Sequence, residues 1–178
     1  MAYKRLYIWV EGDDDERFFE KVIGPLFAKS YNHVHFVQYR QMQTKKVNAF
    51  LKTIKRLRSA GDAAYIFTSD INRQPCVTTK KKRLLKLYAG LDRDCVAIVI
   101  REIESWFLAG LTKKACSQLG IQAFSHTDDV TKEQFNKLRR DKYDSRVDFQ
   151  QEILKLFDLG TARRKNTSFD YFVRKYRL

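Results

Sequence analysis

Acidic side chains follow three of the apolar segments in this chain. Glu11 comes directly after the segment that ends at Val10, Asp70 follows a later segment, and Glu102 follows another. Because ligands bind beyond the carboxyl ends of parallel strands, we expect these carboxylates to converge. Converging carboxylates repel one another unless a cation neutralises them, and Mg²⁺ or Mn²⁺ prefers oxygen ligands of this kind. The pattern predicts a divalent-metal site.

Asn72 is a further candidate ligand, because it lies two residues beyond Asp70. Side chains of an extended segment alternate with period two, so the Asn72 carbonyl oxygen is expected on the same side as Asp70. The predicted ligands are Glu11, Asp70, Asn72 and Glu102, with Glu104 as the alternative to Glu102. A different interpretation also fits the spacing: Glu11 is then a turn residue, and Asp70 or Asn72 caps the helix or turn that follows.

Lysine and arginine outnumber aspartate and glutamate by 35 to 21, which gives the 178-residue chain a net charge of +14. A field this positive favours a polyanionic partner, nucleic acid first and an anionic membrane second. The charge is uneven, because residues 11–20 alone hold six acids and one base. An acidic segment within an otherwise basic chain is the arrangement expected of a site that processes phosphodiesters.

Three basic runs carry the positive excess and are predicted to contact nucleic acid. They lie within residues 45–58, 80–86 and 163–177. The second run begins ten residues after Asp70, so its helix is expected to start near the carboxylates and to hold a phosphate there. The candidate nucleic-acid contacts are Lys80, Lys81, Lys82, Arg83, Arg101, Arg163, Arg164 and Lys165. The alternative is that these runs are solvated helix faces.

Short apolar strands and amphipathic helices alternate along the first part of the chain. The predicted strands cover residues 3–10, 33–39, 63–68 and 95–100. This order predicts an α/β fold with a central, mostly parallel four-stranded sheet flanked by helices. Beyond Gly110 the pattern is helical and more polar. We therefore expect an α/β domain over residues 1–120 and a helical C-terminal extension, packed on the same domain, over residues 121–178.

Several other classes of protein are disfavoured. The longest clean apolar run, residues 95–100, is far shorter than the roughly 20 residues of a membrane-spanning helix. The three cysteines are isolated and form no CxxC pattern, so neither a zinc site nor a disulfide framework is predicted. A cytoplasmic protein with reduced thiols is expected. His33 and His35 lie in the second predicted strand and are interpreted as packing or surface residues.

Three segments together resemble the Toprim family. Residues 7–19 (YIWVEGDDDERFF) resemble its first motif, in which Glu-Gly follows a hydrophobic strand and another acid comes soon after. Residues 69–72 (SDIN) resemble its DxD motif. Residues 99–109 (VIREIESWFLA) resemble a motif of small Toprim-like proteins near bacterial defence and restriction loci. The closing segment of those proteins often carries a basic Asn-Ser-Phe pattern like residues 163–169 here.

The resemblance implies a Toprim-like α/β fold and divalent-metal chemistry on phosphodiesters. It makes Glu11 a general acid or base and Asp70 a metal ligand, so these two are the implied catalytic residues. Asp15 matches a further acid of the first motif only loosely. Asn72 departs from the family pattern, because it stands where DxD has its second acid. The lost charge is expected to weaken metal binding.

We therefore expect a Mg²⁺- or Mn²⁺-dependent nuclease that acts on DNA or RNA in a prokaryotic defence system. The alternative is a catalytically weak Toprim-like subunit that binds nucleic acid or docks a protein partner from a neighbouring defence gene. A third hypothesis is an interaction protein whose basic faces contact an acidic partner. No association with a membrane is expected.

Overall fold

Four parallel strands form the central sheet in the computed structural model, which describes residues 3–178 of the chain. The strands are β1 (Arg5–Val10), β2 (His33–Gln38), β3 (Ala63–Asp70) and β4 (Val96–Val99). Their order across the sheet is β2-β1-β3-β4, and helices flank the sheet. The α/β fold with a central four-stranded sheet and a helical C-terminal segment is thereby confirmed, and the sheet is parallel throughout.

The two strands that precede Glu11 and Asp70 are neighbours. In the register of β1 and β3, Tyr7 lies beside Tyr65 and Trp9 lies beside Phe67. Most residues of both strands are buried, which explains why their sequences are nearly continuous runs of apolar residues rather than alternating ones. Because the strands are parallel and in this register, the chain leaves both of them at the same edge of the sheet.

Helices connect the strands of the first part of the chain. They are α1 (Asp13–Phe18), α2 (Gly24–Phe27), α3 (Thr44–Ser59) and α4 (Val77–Leu87). A π-helical turn, Phe19–Ile23, joins α1 to α2, so the helix continues past Gly24 and Pro25 to Phe27. Proline is tolerated there because it lies in the first turn of α2, where its missing N–H costs no hydrogen bond.

After β4, all of the regular secondary structure within the residues that the structure describes is helical. The helices are α5 (Ile103–Ala109), α6 (Lys113–Leu119), α7 (Lys132–Leu138), α8 (Arg146–Lys155), α9 (Leu159–Lys165) and α10 (Thr167–Tyr176). All seven residues of α5 are buried, and α5 contacts α7, α8 and α9. A helix that is buried on every side is the centre of a helical core.

The chain forms two compact units, one ending at Ile98 and the other running from Val99 to Leu178. The sequence places the division at residue 120 instead. The difference has a physical reason, because α5 makes its helix contacts with α7, α8 and α9. Among residues 3–178, no helix is both long enough and apolar enough to cross a lipid bilayer.

Candidate functional site

Glu11 lies at the edge of the sheet where β1 and β3 end, and its carboxylate links the two strand ends. Its Oε1 accepts a hydrogen bond of 2.6 Å from the Ser69 hydroxyl and one of 3.1 Å from the Asp70 backbone N–H. Two donors on one carboxylate oxygen fix the side chain in place. Glu11 is therefore positioned by the fold, as a residue of an active site must be.

Asp70 is the last residue of β3 and is 9% exposed. The segment after it is a turn rather than the extended strand that the sequence suggests, since Asn72 has a φ of 52° and Gln74 N–H donates to the Ile71 carbonyl. Asparagine adopts this left-handed conformation more readily than most residues. The alternation that would place Asn72 beside Asp70 is therefore absent.

The Asn72 side chain is exposed, and its amide nitrogen donates to the Asp70 carbonyl at 3.2 Å. This contact is a local hydrogen bond from a short polar side chain to the backbone carbonyl two residues before it. It gives Asn72 a local structural role. Metal ligation by the Asn72 carbonyl oxygen stays a prediction.

Asp15 is the buried member of the acidic run that opens α1. It is 6% exposed, whereas Asp13 is exposed and Asp14 and Glu16 are half-buried. Asp14 pairs with Arg17 at 3.0 Å, and Asp13 accepts from Gln38 at 2.8 Å. These neighbours thus have local surface contacts, and Asp15 alone of the run is turned toward the interior.

Tyr39 is a buried tyrosine whose hydroxyl is affected by the charges of both Asp15 and Glu11. Burial raises the pKa of the Tyr39 hydroxyl well above its usual value, and the charges of Glu11 and Asp15 add to the shift. The neutral hydroxyl donates to the Thr68 carbonyl at 2.9 Å. The charges of Glu11 and Asp15 therefore both act on the Tyr39 hydroxyl.

Lys80 brings a positive charge to the same edge. It lies near the start of α4 and is half-buried. Burial lowers the pKa of its ammonium group, and the negative charges of Glu11 and Asp70 oppose that shift. The predicted contact of the second basic run with a phosphate near these carboxylates stays a prediction. Lys82 and Arg83, by contrast, are exposed.

Lys81 shares the half-buried part of α4 but has different neighbours. Burial lowers the pKa of its ammonium group, and the charge of Arg93 adds to the shift while Asp94 opposes it. The first and second lysines of the run thus face different surroundings. Of these two lysines, Lys80 is the one whose pKa the negative charges of Glu11 and Asp70 act to raise.

Glu102 and Arg101 belong to the second unit and precede α5. Glu102 Oε2 accepts a hydrogen bond of 2.6 Å from the Lys132 backbone N–H, which holds the start of α7. Arg101 is exposed, has a φ of 62°, and lies 3.5 Å from the Asp129 carboxylate. Each therefore has a local contact in its own unit. Their predicted roles toward metal and nucleic acid are not decided by these contacts.

Several residues of the third basic run form ion pairs or hydrogen bonds within their own unit. Arg163 and Arg174 both pair with the Asp170 carboxylate, at 2.8 and 2.9 Å. Arg164 donates to the Thr161 hydroxyl at 3.1 Å, and the Lys165 ammonium donates to the Leu111 carbonyl. The Arg163–Asp170 pair ties α9 to α10, and the other contacts lie within one helix or reach Leu111. Binding of nucleic acid by Arg163, Arg164 and Lys165 stays a prediction.

The acidic edge offers oxygen ligands only. Within residues 3–178, no group of three or more His, Cys, Asp or Glu side chains has the arrangement of a metal-binding cluster. Mg²⁺ needs no such cluster, because it keeps several waters and is held by one or two carboxylates plus substrate phosphate. Glu11 and Asp70 are neighbours at this edge, because the Asp70 backbone N–H donates to the Glu11 carboxylate. The donor set fits a hard divalent cation.

Comparison of the chain with protein-family models, with curated proteins and with solved structures finds no match. The fold therefore defines the class: an α/β protein with an all-parallel four-stranded sheet. The Toprim resemblance of its motifs stays a prediction. The chemistry of the site must accordingly be argued from its own geometry.

Sequence patterns alone gave too little weight to Ser69, Tyr39 and the burial of Asp15. A signal for Asp15 was present, because Phe18 and Phe19 follow it by three and four residues and share its helix face. Both phenylalanines are fully buried, so an acid on that face is buried with them. No comparable signal exists for Ser69, whose role as a donor to Glu11 depends on how β1 pairs with β3.

Proposed function

We propose that the chain is a Mg²⁺- or Mn²⁺-dependent nuclease that acts on nucleic-acid phosphodiesters. One observation carries the proposal: at the carboxyl edge of the parallel sheet, the Glu11 carboxylate accepts hydrogen bonds from the Ser69 hydroxyl and the Asp70 N–H, which places two acidic residues side by side. The charges of Glu11 and Asp70 both act on the pKa of half-buried Lys80 at the start of α4. Paired carboxylates suit a divalent cation, and an adjacent ammonium suits a phosphate oxygen. The motif resemblance extends the proposal to a cytoplasmic role in prokaryotic defence.

Each residue of this edge has a distinct task in the proposed reaction. Glu11, held by the Ser69 hydroxyl and the Asp70 N–H, accepts or returns a proton as general base or acid. Lys80 orients the phosphate, and Asp70 provides a second oxygen ligand. A bound Mg²⁺ supplies positive charge that polarises the phosphodiester. Exposed Lys82 and Arg83 extend the positive surface along α4 and hold the nucleic-acid backbone.

A second candidate function is a binding subunit with little or no cleavage. The observation that favours it is the commitment of the Asn72 amide to the Asp70 carbonyl in a left-handed turn. Such a site has one carboxylate fewer than a DxD pair offers, so it holds a cation less tightly. The same basic surface then binds nucleic acid or docks a protein partner.

Isosteric variants separate the two candidates. Glu11→Gln keeps a carbonyl oxygen to accept from Ser69 and Asp70, and Asp70→Asn keeps the shape of a buried side chain. We expect each to lower metal-dependent cleavage of labelled DNA or RNA oligonucleotides about 100-fold or more, with oligonucleotide affinity retained. Glu20→Gln is the matched control, because Glu20 is exposed in the neighbouring π-helical turn, and its cleavage rate should equal that of the wild type.

The assay compares Mg²⁺, Mn²⁺ and a chelator on single-stranded and duplex substrates. If Glu11→Gln and Asp70→Asn cut as fast as the wild type, the assignment of the site is wrong. If the wild type binds in a salt-sensitive way but yields no product with either metal, the nuclease proposal is wrong and the binding subunit is supported.

A further inference from the structure

A row of aromatic rings lies on the sheet face formed by β1 and β2, near the amino-terminal ends of these strands. In the register of the two strands, Tyr7 is beside His35 and Arg5 is beside His33. The Tyr7 and His35 rings are stacked, with centroids 5.1 Å apart and an interplanar angle of 19°. The rings of His33 and His35 are also stacked, with centroids 5.9 Å apart.

The row continues past the start of β1. The Tyr3 ring lies 5.5 Å from His33, and the Arg5 guanidinium carbon lies 5.1 Å from the Tyr3 ring centroid. We call these five residues the aromatic surface: Tyr3, Arg5, Tyr7, His33 and His35. Period-two alternation explains how Arg5, Tyr7, His33 and His35 share one face, since they occupy odd positions of two strands in direct register. Tyr3 lies two residues before β1.

Helix α3 covers the neighbouring part of this face and reaches the aromatic surface only at Tyr7. Phe50 of α3 packs on Trp9 at 5.0 Å and reaches the edge of Tyr7 at 5.8 Å. Trp9 is fully buried as a result, whereas Tyr7 is half-buried. Tyr3 is 48% exposed, and both histidines are exposed. The exposed rings of His33 and His35, on the outer strand β2, therefore gain little from packing in the core.

We propose that the aromatic surface stacks the unpaired bases of a single-stranded nucleic acid. Exposed rings on a sheet face are the usual platform for such strands, because every base has a face that stacks. A duplex hides those faces between its own base pairs. The surface therefore distinguishes single strands from duplexes, which a phosphate-binding basic helix does not.

Charge complementarity favours a polyanion over an apolar or basic partner. Arg5 supplies a permanent cation among the rings, and no carboxylate belongs to the aromatic surface. Asp62, whose carbonyl accepts from Arg5 N–H, precedes β3 and therefore lies on the opposite side of β1 from His33. The chain as a whole carries a net charge of +14, which brings a nucleic acid to any such surface.

The inference stands apart from the proposed cleavage. The aromatic surface includes the first residues of β1, whereas Glu11 follows the last residue of that strand. Binding can thus be measured in the presence of a chelator, where metal-dependent cleavage does not occur. Loss of cleavage in Glu11→Gln leaves this binding unchanged, so the failure of one proposal is separable from the failure of the other.

The test is fluorescence anisotropy of an end-labelled oligothymidine of about 12 nucleotides, compared with a duplex of equal length. We expect the full chain to bind the single strand more tightly than the duplex. His35→Ala and Tyr7→Ala should each weaken single-strand binding about fivefold or more, which is the loss expected when one stacked base loses its ring. Tyr7→Phe keeps the ring and should bind like the wild type.

Tyr171→Ala is the matched control, because Tyr171 is 50% exposed on α10 and belongs to the other unit. Its affinity should not change. His35→Ala keeps the test decisive if Tyr7→Ala unfolds, since exposed His35 contributes little to the core. The proposal is overturned if the wild type does not bind the single strand, or if His35→Ala and Tyr7→Phe bind alike. The proposal is also overturned if His35→Ala abolishes binding of a protein ligand but leaves oligothymidine binding unchanged.

Discussion

At the scale of single residues, Glu104 shows how burial and pairing compete. Its side chain belongs to a residue only 3% exposed, and it forms an ion pair with Arg146. The Arg146 guanidinium also donates to Asn136 and lies 5.3 Å from the Phe135 ring centroid. Burial raises the pKa of Glu104, although the Arg146 charge opposes the shift. Glu104 is thus committed to joining α5 and α8.

This shift predicts a pH-dependent stability that Glu104→Gln removes. A carboxyl group whose pKa is higher in the folded chain contributes stability below its unfolded pKa and loses it as pH rises through the folded pKa. The stability advantage of the wild type over Glu104→Gln should therefore shrink as pH rises from about 4 toward neutrality. Urea unfolding midpoints at several pH values measure the difference.

Glu133 gives the opposite sign and serves as the control. A hydrogen bond from its own backbone, together with Thr131, lowers the pKa of this exposed carboxyl at the start of α7. Its contribution is present above the unfolded pKa and is lost as pH falls. The advantage of the wild type over Glu133→Gln should grow with pH. If the stability advantage of the wild type over Glu104→Gln also grows with pH, the Arg146 charge outweighs burial.

At the scale of elements, periodicity and turn residues predict most of the fold. The four strands and the order of alternating helices follow from short apolar runs and amphipathic spacing, and the central sheet is where they place it. The helix α9, LGTARRK, has no such pattern. Its start is fixed by the Asp158 side chain, which accepts from Thr161 N–H at 2.6 Å, and by packing against α5.

Parallel topology makes the proximity of Glu11 and Asp70 predictable. Glu11 follows β1 and Asp70 ends the neighbouring strand β3, so the Asp70 N–H reaches the Glu11 carboxylate. Asn72 was not predictable in the same way, because a left-handed residue ends the alternation on which its placement rests. Lys80 approaches the carboxylates because α4 begins only seven residues after β3 ends. Its burial depends on tertiary packing, which no local pattern encodes.

A buried hydrogen-bond network holds the elements of the second unit together. Asn166 caps α10 by accepting from Phe169 N–H at 2.9 Å and from the Ser168 hydroxyl at 2.8 Å. Its amide donates to Ser105 on α5 and to Thr127. Ser168 in turn accepts from the Trp106 indole at 2.8 Å. Removing one member leaves several buried polar groups without partners.

Asn166→Ala should therefore destabilise the chain by about 3 kcal/mol, since it removes a helix cap and leaves buried donors unsatisfied. Ser145→Ala removes only a cap, because Ser145 is exposed and accepts from Asp148 N–H at the start of α8. That change should cost about 1 kcal/mol. Urea unfolding monitored by tryptophan fluorescence compares them. Equal costs would mean that the network adds nothing beyond a cap.

At the scale of the whole molecule, the distribution of charge matters more than its total. The net charge of +14 suggests only a polyanionic partner. Some basic residues pair internally, as Arg58 does with Asp92 and Arg163 with Asp170, and exposed ones lie on several helices, Lys82 and Arg83 on α4 among them. Because α4 also carries Lys80, whose pKa responds to Glu11 and Asp70, we expect the exposed part of α4 to dominate the salt dependence of binding.

Lys82→Ala combined with Arg83→Ala tests this division. Each phosphate contact on a single strand contributes about 0.7 to the slope of log affinity against log salt concentration, so the double variant should lower its magnitude by about 1.4. Lys114→Ala is the control, because Lys114 is an exposed lysine of α6 with no predicted role in nucleic-acid binding. Anisotropy titrations of a labelled oligonucleotide at several salt concentrations give the slopes. If Lys114→Ala and the double variant change the slope by the same amount per charge, the chain binds through its total charge and not through α4. A reduction confined to the double variant places α4 against the phosphates, on the same helix whose Lys80 senses the Glu11 and Asp70 carboxylates.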